Sequence, residues 1–161
     1  DAPVGLMRAR LALAALVLVL DQASKLAVLR LIEPYQTIPV IPGFNLTLAF
    51  NRGASFSFLA DAGGWQRWLF SAISVAASVV IVVLLRRTAP GDRLNGIGLS
   101  LVLGGAVGNL IDRLWLGHVV DFLDVYYGAS HWPAFNVADS AITVGAVLLV
   151  LGMWRQERAA A

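Results

Sequence analysis

The sequence contains no cysteine and unusually little charge. None of its 161 residues is Cys, and Asp, Glu, Lys and Arg together make up 14%, against roughly 25% in an average soluble domain. Without cysteine the chain has no disulfide, no thiolate nucleophile and no thiolate metal ligand. Since 58% of the residues are hydrophobic and the mean hydropathy is +0.75, the composition indicates an integral membrane protein.

Two further shortages exclude other classes of site. The formal net charge is only +2, and there is no run of Lys or Arg, so we expect no nucleic-acid partner. The two histidines, His118 and His131, are isolated in the sequence. A zinc site needs three or four nitrogen or sulfur ligands, so we expect no metal and no cofactor.

Four segments are apolar enough to cross a membrane, which takes about 20 residues each. We predict one membrane-embedded domain, 1–161, with helices at roughly 9–30, 67–86, 94–115 and 136–154. The first segment follows a basic stretch that begins at Met7, a candidate start. It is predicted to be a retained helix rather than a signal peptide, because the polar run 21–25 follows it in place of a small-residue cleavage site.

The basic residues predict how the chain is oriented. Seven of the twelve lie at one side if the chain crosses four times: Arg8, Arg10, Arg86, Arg87, Arg93, Arg155 and Arg158. Positive charge favours the cytoplasmic side. We therefore expect a multi-pass membrane protein with both termini in the cytoplasm and with segments 31–66 and 116–135 outside.

The first outer segment has the pattern of β-structure. Apolar and polar residues alternate from Phe44 to Phe50, which is typical of a half-buried strand. A turn at 51–53 is followed by further alternation at Phe56 and Phe58, which predicts a second strand. The fold is therefore predicted as mainly α, with four transmembrane helices, a small extracytoplasmic sheet over roughly 37–60 and a short outer loop. Asp124 is expected to be solvated on that loop.

Several polar side chains interrupt the apolar segments at a similar depth. Asn109 lies 16 residues from Arg93, and Asp139 lies 16 residues from Arg155, so each is roughly 24 Å from its arginine along a helix. By the same helical rise, Lys25 lies roughly 22 Å from Arg10. Ionisable groups within a membrane are costly and are functional candidates by default, so their convergence predicts a site.

Structural and functional interpretations are both open for most of these residues. Asp21 and Lys25 are four residues apart and can form an ion pair along one helix, or Asp21 can act on the substrate side. Arg113 can either pack or hold a carbonyl with its planar guanidinium. Asp112 is expected to anchor helix packing, and Asn136 can cap the fourth helix.

Asp121 and Asp139 are the candidate catalytic pair. Two carboxylates held close together share a proton, because both cannot ionise cheaply. One can then act as a general base on water while the other acts as an acid toward a carbonyl, as in aspartic proteases. A proton-coupled membrane transporter that uses the same intramembrane carboxylates is the alternative.

Five blocks of sequence, in order, resemble the bacterial lipoprotein signal peptidases, also called signal peptidase II. They are Asp21-Gln22-Ala23-Ser24-Lys25, Asn51-Arg52-Gly53-Ala54-Ser55-Phe56-Ser57, the run Gly104–Arg113, Val119-Val120-Asp121-Phe122 and Phe135-Asn136-Val137-Ala138-Asp139. The resemblance extends from the first predicted helix to the last.

This resemblance implies a four-helix aspartic endopeptidase of the bacterial inner membrane, with Asp121 and Asp139 as its dyad near the outer face. The substrates would be prolipoproteins with a diacylglyceryl-modified cysteine, cut just before that cysteine, within membrane lipid. The inhibitor would be globomycin or a related lipopeptide. By the same resemblance, substrate or inhibitor would contact Asn51, Gly53, Asn109, Arg113 and Asn136, and the site would be shaped by Asp21 and Lys25.

Overall fold

Four long helices form a bundle that carries a small sheet at one end. The computed structural model describes residues 1–52 and 63–160. The helices are α1 (Val4–Leu31), α2 (Trp65–Arg87), α3 (Arg93–Leu116) and α4 (Val137–Ala160). Each is long and apolar enough to span a membrane. Gly53 and the predicted strand with Phe56 and Phe58 lie outside the described residues.

The first and last helices are longer than their apolar cores. α1 begins at Val4 and α4 continues to Ala160, whereas hydropathy marks only about 9–30 and 136–154. Hydrogen bonding along a helix does not depend on hydropathy, so both helices continue through the flanking arginines.

Helix α3 occupies the centre of the bundle. Half of the residues in its apolar stretch are buried, against 17% in α2 and in α4. Its glycines bring the backbones close together: a Cβ at Gly104 would lie 2.6 Å from Ala14 O, and one at Gly98 would lie 2.9 Å from Gly145 O. Small residues commonly permit such close packing in membranes. This placement brings the polar face of α3 near both α1 and α4.

The ends of the helices at 8–10, 86–93 and 155–158 lie together at what we name the arginine end. Arg10 is buried there and donates hydrogen bonds to Leu85 O at 2.7 Å and Thr88 O at 3.0 Å. These carbonyls belong to the last turn of α2 and the residue after it, where helix carbonyls lack helical partners. Gln156 on α4 donates to Asp92 Oδ2 at 2.8 Å, which ties α4 to the start of α3.

The opposite end, which we name the sheet end, carries a four-stranded antiparallel sheet in the order β1-β2-β3-β4. Its strands are β1 (Thr37–Ile41), β2 (Phe44–Asn51), β3 (Val119–Tyr127) and β4 (Ser130–His131). Val120 and Phe122 of the sheet pack with Val28 and Ile32 of α1 in one buried cluster. The sheet is thereby fixed on the bundle.

The segment 116–135 is more ordered than a short outer loop. It supplies two strands, and β3 pairs with β2 from Phe44↔Val125 to Asn51↔Val119. The prediction that Asp124 is solvated was therefore wrong: it lies on β3 with only 8% of its surface exposed. No clear strand pattern marks this segment, because polar residues on a central strand can be paired by neighbours from distant parts of the chain.

Candidate active site

Asp121 reaches the site from β3, opposite Ala49 of β2. It is only 3% exposed. Burial, and then the charge of Asp139, raise the pKa of Asp121 to about 7, although hydrogen bonds from Asn51 and Asn136 act in the opposite direction. A carboxyl group with this pKa holds a proton over much of the range in which ordinary aspartates are ionised.

Asp139 reaches the same place from the first turn of α4. Its Oδ1 accepts a hydrogen bond from Asn109 Nδ2 at 2.8 Å. It also borders an open cavity of about 670 Å³ that is lined by Asn51, Ser140, Thr143, Val144 and the segment Trp132–Phe135. Asp139 thus borders a space that a ligand can enter, whereas Asp121 is almost fully buried.

Asn136 joins the two aspartates. Its side chain is fully buried, and Nδ2 donates to Asp121 Oδ1 at 2.8 Å. Its Oδ1 accepts from the backbone N–H of Asp139 at 2.8 Å, which is the expected cap of a helix that begins at Val137. The predicted capping role is confirmed, and the same side chain also orients a carboxyl group.

A buried cluster of charged side chains adjoins Asp121 and Asp139. Lys25 Nζ lies 2.8 Å from Asp21 Oδ2 and 2.9 Å from Asp112 Oδ2, and it donates to Asn109 Oδ1 at 3.0 Å. The predicted pairing of Asp21 with Lys25 is confirmed. All three N–H groups of the ammonium are used, so Lys25 holds Asn109 in the orientation that presents its Nδ2 to Asp139.

The two acids of the cluster position the elements that carry the aspartates. Asp21 Oδ1 accepts from Ala138 N at 2.9 Å, in the first turn of α4. Asp112 Oδ2 accepts from Val120 N at 3.0 Å, one residue before Asp121. The expected anchoring role of Asp112 is therefore visible in its contacts with α1 and β3.

Sequence reasoning did not single out Gln22 as a site residue. Its Nε2 lies between three acceptors: Asp21 Oδ2 at 3.2 Å, Gly108 O at 3.2 Å and Asp112 Oδ1 at 3.0 Å. An amide beside Asp21 within an apolar segment was the available signal. Its acceptors on α3 could be known only after α1 and α3 were packed.

Arg113 lies on the same side of α3 as Asn109, next to α2. Its guanidinium is 5.5 Å from the centre of the Phe70 ring, and Nη1 donates to Ser74 Oγ at a long 3.5 Å. Its Nε is buried and has no hydrogen-bond partner among the described residues. A weakly held planar donor next to two aspartates can donate hydrogen bonds to a carbonyl oxygen.

Comparison with known proteins gives a consistent result. The family described as signal peptidase (SPase) II matches residues 13–155. The lipoprotein signal peptidase of Aeromonas hydrophila is 52% identical over 147 residues, which cover 91% of this chain and 88% of that protein. That of Burkholderia mallei is 54% identical over 150 residues, which cover 93% and 90%.

The chain belongs to the signal peptidase II family. A solved bacterial membrane enzyme has the same fold, with a TM-score of 0.82 and 29% identity over 92% of this chain and 89% of the other. A second has a TM-score of 0.79 and 29% identity over 90% and 92%. This signal peptidase II is therefore a multi-pass membrane protease, and the transporter alternative finds no support.

In this signal peptidase II the predicted site residues fall into one cluster. The structure brings together residues from α1, β2, β3, α3 and α4: Asp21, Lys25, Asn51, Asn109, Asp121, Asn136 and Asp139. Arg113 adjoins them. Gly53 is the one predicted site residue outside the described ranges.

Proposed function

We propose that this signal peptidase II removes the signal peptide of diacylglyceryl-modified prolipoproteins, and that Asp121 and Asp139 are its catalytic pair. The observation that carries the assignment is the Asn136 side chain, which bonds to Asp121 through one atom and to the start of the Asp139 helix through the other. Together with the raised pKa of Asp121, this arrangement supports one ionised and one protonated carboxyl group.

The geometry supports a general acid–base reaction in which no covalent intermediate forms. The ionised aspartate takes a proton from water as the water oxygen bonds to the scissile carbonyl carbon, and the protonated aspartate gives its proton to the carbonyl oxygen. The tetrahedral species then collapses. The C–N bond breaks, and the leaving amine receives a proton from the carboxyl group that took one from water. One hydroxyl of the tetrahedral species returns its proton to the other aspartate, which leaves a carboxylic acid product and restores the starting protonation state of the pair.

Arg113 is proposed to position the substrate. Its Nε has no partner among the described residues, and within them the side chain contacts Ser74 and the Phe70 ring. A substrate backbone carbonyl would satisfy the guanidinium and keep the scissile bond beside the aspartates. Asn51, which borders the cavity beside Asp139, is proposed as a second polar contact for the peptide, and Gly53 is proposed to follow it.

We also propose the orientation of the chain. The arginine end collects the seven basic residues named above, and the positive-inside rule assigns such an end to the cytoplasm. The sheet end and the aspartates then lie at the outer face of the inner membrane. A substrate with two acyl chains and an apolar signal helix can reach the cavity laterally from the lipid.

The test is cleavage of a purified, diacylglyceryl-modified prolipoprotein in proteoliposomes. Asp121→Asn and Asp139→Asn should each abolish cleavage while still inserting and folding. Glu33→Gln is a matched control, because it neutralises an exposed carboxylate at the sheet end and should leave the rate unchanged. Globomycin should inhibit the wild-type protein. Near-normal turnover by either aspartate variant would remove the dyad assignment.

A further inference from the structure

One wall of the cavity beside Asp139 is formed by Trp132–Phe135, which we name the cavity wall. It runs back along β3 and is held at both ends. Trp132 N donates to Val125 O at 2.8 Å, and Phe135 N donates to Leu123 O at 3.1 Å. Pro133, between these bonds, has no N–H to pair with the strand. The shape of the wall therefore depends on how firmly its two ends are fixed.

The Phe135 end is fixed by the active site itself. Phe135 O accepts from the N–H groups of Phe122 and Leu123 at 2.9 and 2.8 Å. The next residue, Asn136, is fully buried and bonded to Asp121. These bonds tie the Phe135 end of the wall to β3 and to Asp121, so it is restrained together with the aspartates.

The Trp132 end follows β4, which is held to β3 by backbone pairing and also by a pair of side chains with no part in the proposed chemistry. His131 Nδ1 lies 2.8 Å from Asp124 Oδ1, and the imidazole stacks on the Tyr126 ring with centroids 5.1 Å apart. Asn45 Nδ2 donates to the other carboxylate oxygen at 2.8 Å. The Asp124 carboxylate on β3 thus contacts Asn45 of β2 through one oxygen and His131 of β4 through the other.

Asp124 remains ionised in this setting. Burial acts to raise the pKa of Asp124, but the hydrogen bonds from His131 and Asn45 outweigh it, so that the pKa is lowered. An exposed ion pair contributes little, whereas the hydrogen bonds of a buried carboxylate are needed to offset its loss of water. Although the His131 side chain is half-exposed, its bond to the buried Asp124 carboxylate therefore helps to attach the strand that precedes the wall.

We propose that Asp124 and His131 are positioning residues, which fix the cavity wall and thereby set how tightly the prolipoprotein substrate is held. The proposal rests on the proposed function, because it assumes that the substrate occupies the cavity beside Asp139. The pair touches neither aspartate, and the Phe135 end of the wall stays anchored without it. Its loss should weaken substrate binding and leave the chemical step nearly intact.

Kinetics on the lipidated prolipoprotein in proteoliposomes test the assignment. His131→Ala should raise KM by about three- to tenfold with kcat within about twofold, since a lost positioning contact acts on binding. His131→Asn keeps a donor near the position of Nδ1 and should restore a near-normal KM. The double variant Asp124→Ala/His131→Ala should be no worse than the worse single variant, because the two residues act as a unit.

Thr47→Ala is the matched control. It removes one side-chain hydrogen bond of the same sheet, from Thr47 Oγ1 to Gln36 O, at a place that does not border the cavity, and should leave KM unchanged. The proposal is overturned if His131→Ala leaves KM unchanged or lowers kcat in step with the rise in KM. It is also overturned if His131→Asn is as impaired as His131→Ala.

A second measurement separates this proposal from the proposed function. The chain has no native cysteine, so Trp132→Cys, at a residue that is 70% exposed, accepts a single spin label on the wall. His131→Ala should increase the label's mobility, and His131→Asn should not. Unchanged mobility overturns the proposal whatever the activity, whereas failure of the wild-type protein to cleave prolipoprotein contradicts the proposed function and leaves the mobility result interpretable.

Discussion

Asn136 donates a hydrogen bond from its side-chain amide to Asp121 Oδ1 at 2.8 Å. The same side chain accepts from Asp139 N, so one amide performs two separable tasks: it holds a carboxyl group through Nδ2 and caps α4 through Oδ1. Substitutions that keep one task and remove the other should therefore give different phenotypes.

Asn136→Ser should lower kcat about a hundredfold, a loss typical of a missing preorganised donor, because a hydroxyl can still cap the helix but cannot reach Asp121. Asn136→Ala should lose a similar amount of activity. It should also lose about 1 kcal/mol of stability relative to Asn136→Ser, because the cap is gone. Cleavage rates and thermal unfolding in detergent check the two effects, and equal stability of the two variants would contradict the capping role.

Gly108→Ala should inactivate the protein by displacing the ion cluster. A Cβ at this position would lie 2.5 Å from Asp21 Oδ2, so Asp21 must move from Lys25 and from Ala138 N. The matched control is Gly91→Ala, where no atom of the described residues lies within 4 Å of the new carbon. Cleavage and thermal unfolding should show a loss for Gly108→Ala alone, and normal activity in this variant would show that the cluster tolerates displacement.

Activity should fall as the pH rises through about 7, the pKa of Asp121. Above it Asp121 has lost the proton that it gives to the carbonyl oxygen. The measurement is kcat/KM against pH in proteoliposomes, with dye leakage as the control for membrane integrity. A rate that stays constant from pH 6 to well above pH 8 would place the essential proton elsewhere.

The same group should make stability depend on pH. Since the pKa of Asp121 is raised from 3.8 to about 7, the folded state binds more protons than the unfolded state between these values. Its favourable contribution is complete below about pH 4 and is lost as the pH rises to about 7. A difference of one pKa unit between the folded and unfolded states changes the free energy of unfolding by about 1.4 kcal/mol. Asp121→Asn should therefore raise the melting temperature more at pH 8 than at pH 4.

Arg113→Lys should raise KM while the protein still folds. Lysine keeps the charge but loses the planar set of donors, including the buried Nε that has no partner among the described residues. Ser74→Ala serves as the control for the weak 3.5 Å contact and should change KM much less. Normal substrate binding by Arg113→Lys would make the residue a packing element.

The sequence by itself determined the class of the protein and selected most of the candidate site residues. The apolar segments predict helices because backbone groups in lipid must be bonded within the segment. Polar residues within those segments stand out because placing them in lipid is energetically costly, which makes each one a functional candidate. For these reasons Lys25, Asn109 and Asp139 could be selected from their positions alone.

Only the tertiary structure decided which of these side chains touch. Lys25 bonds to Asn109, and Asn136 bonds to Asp121. Both bonds depend on how the helices are rotated and shifted relative to one another, and the close contacts at the glycines determine that packing. The same is true of β3 and of the Asp124–His131 pair, whose partners on β2 and β4 are brought in by sheet pairing. Hydropathy records the environment of one residue at a time, whereas a hydrogen bond between distant residues is fixed by how the elements pack.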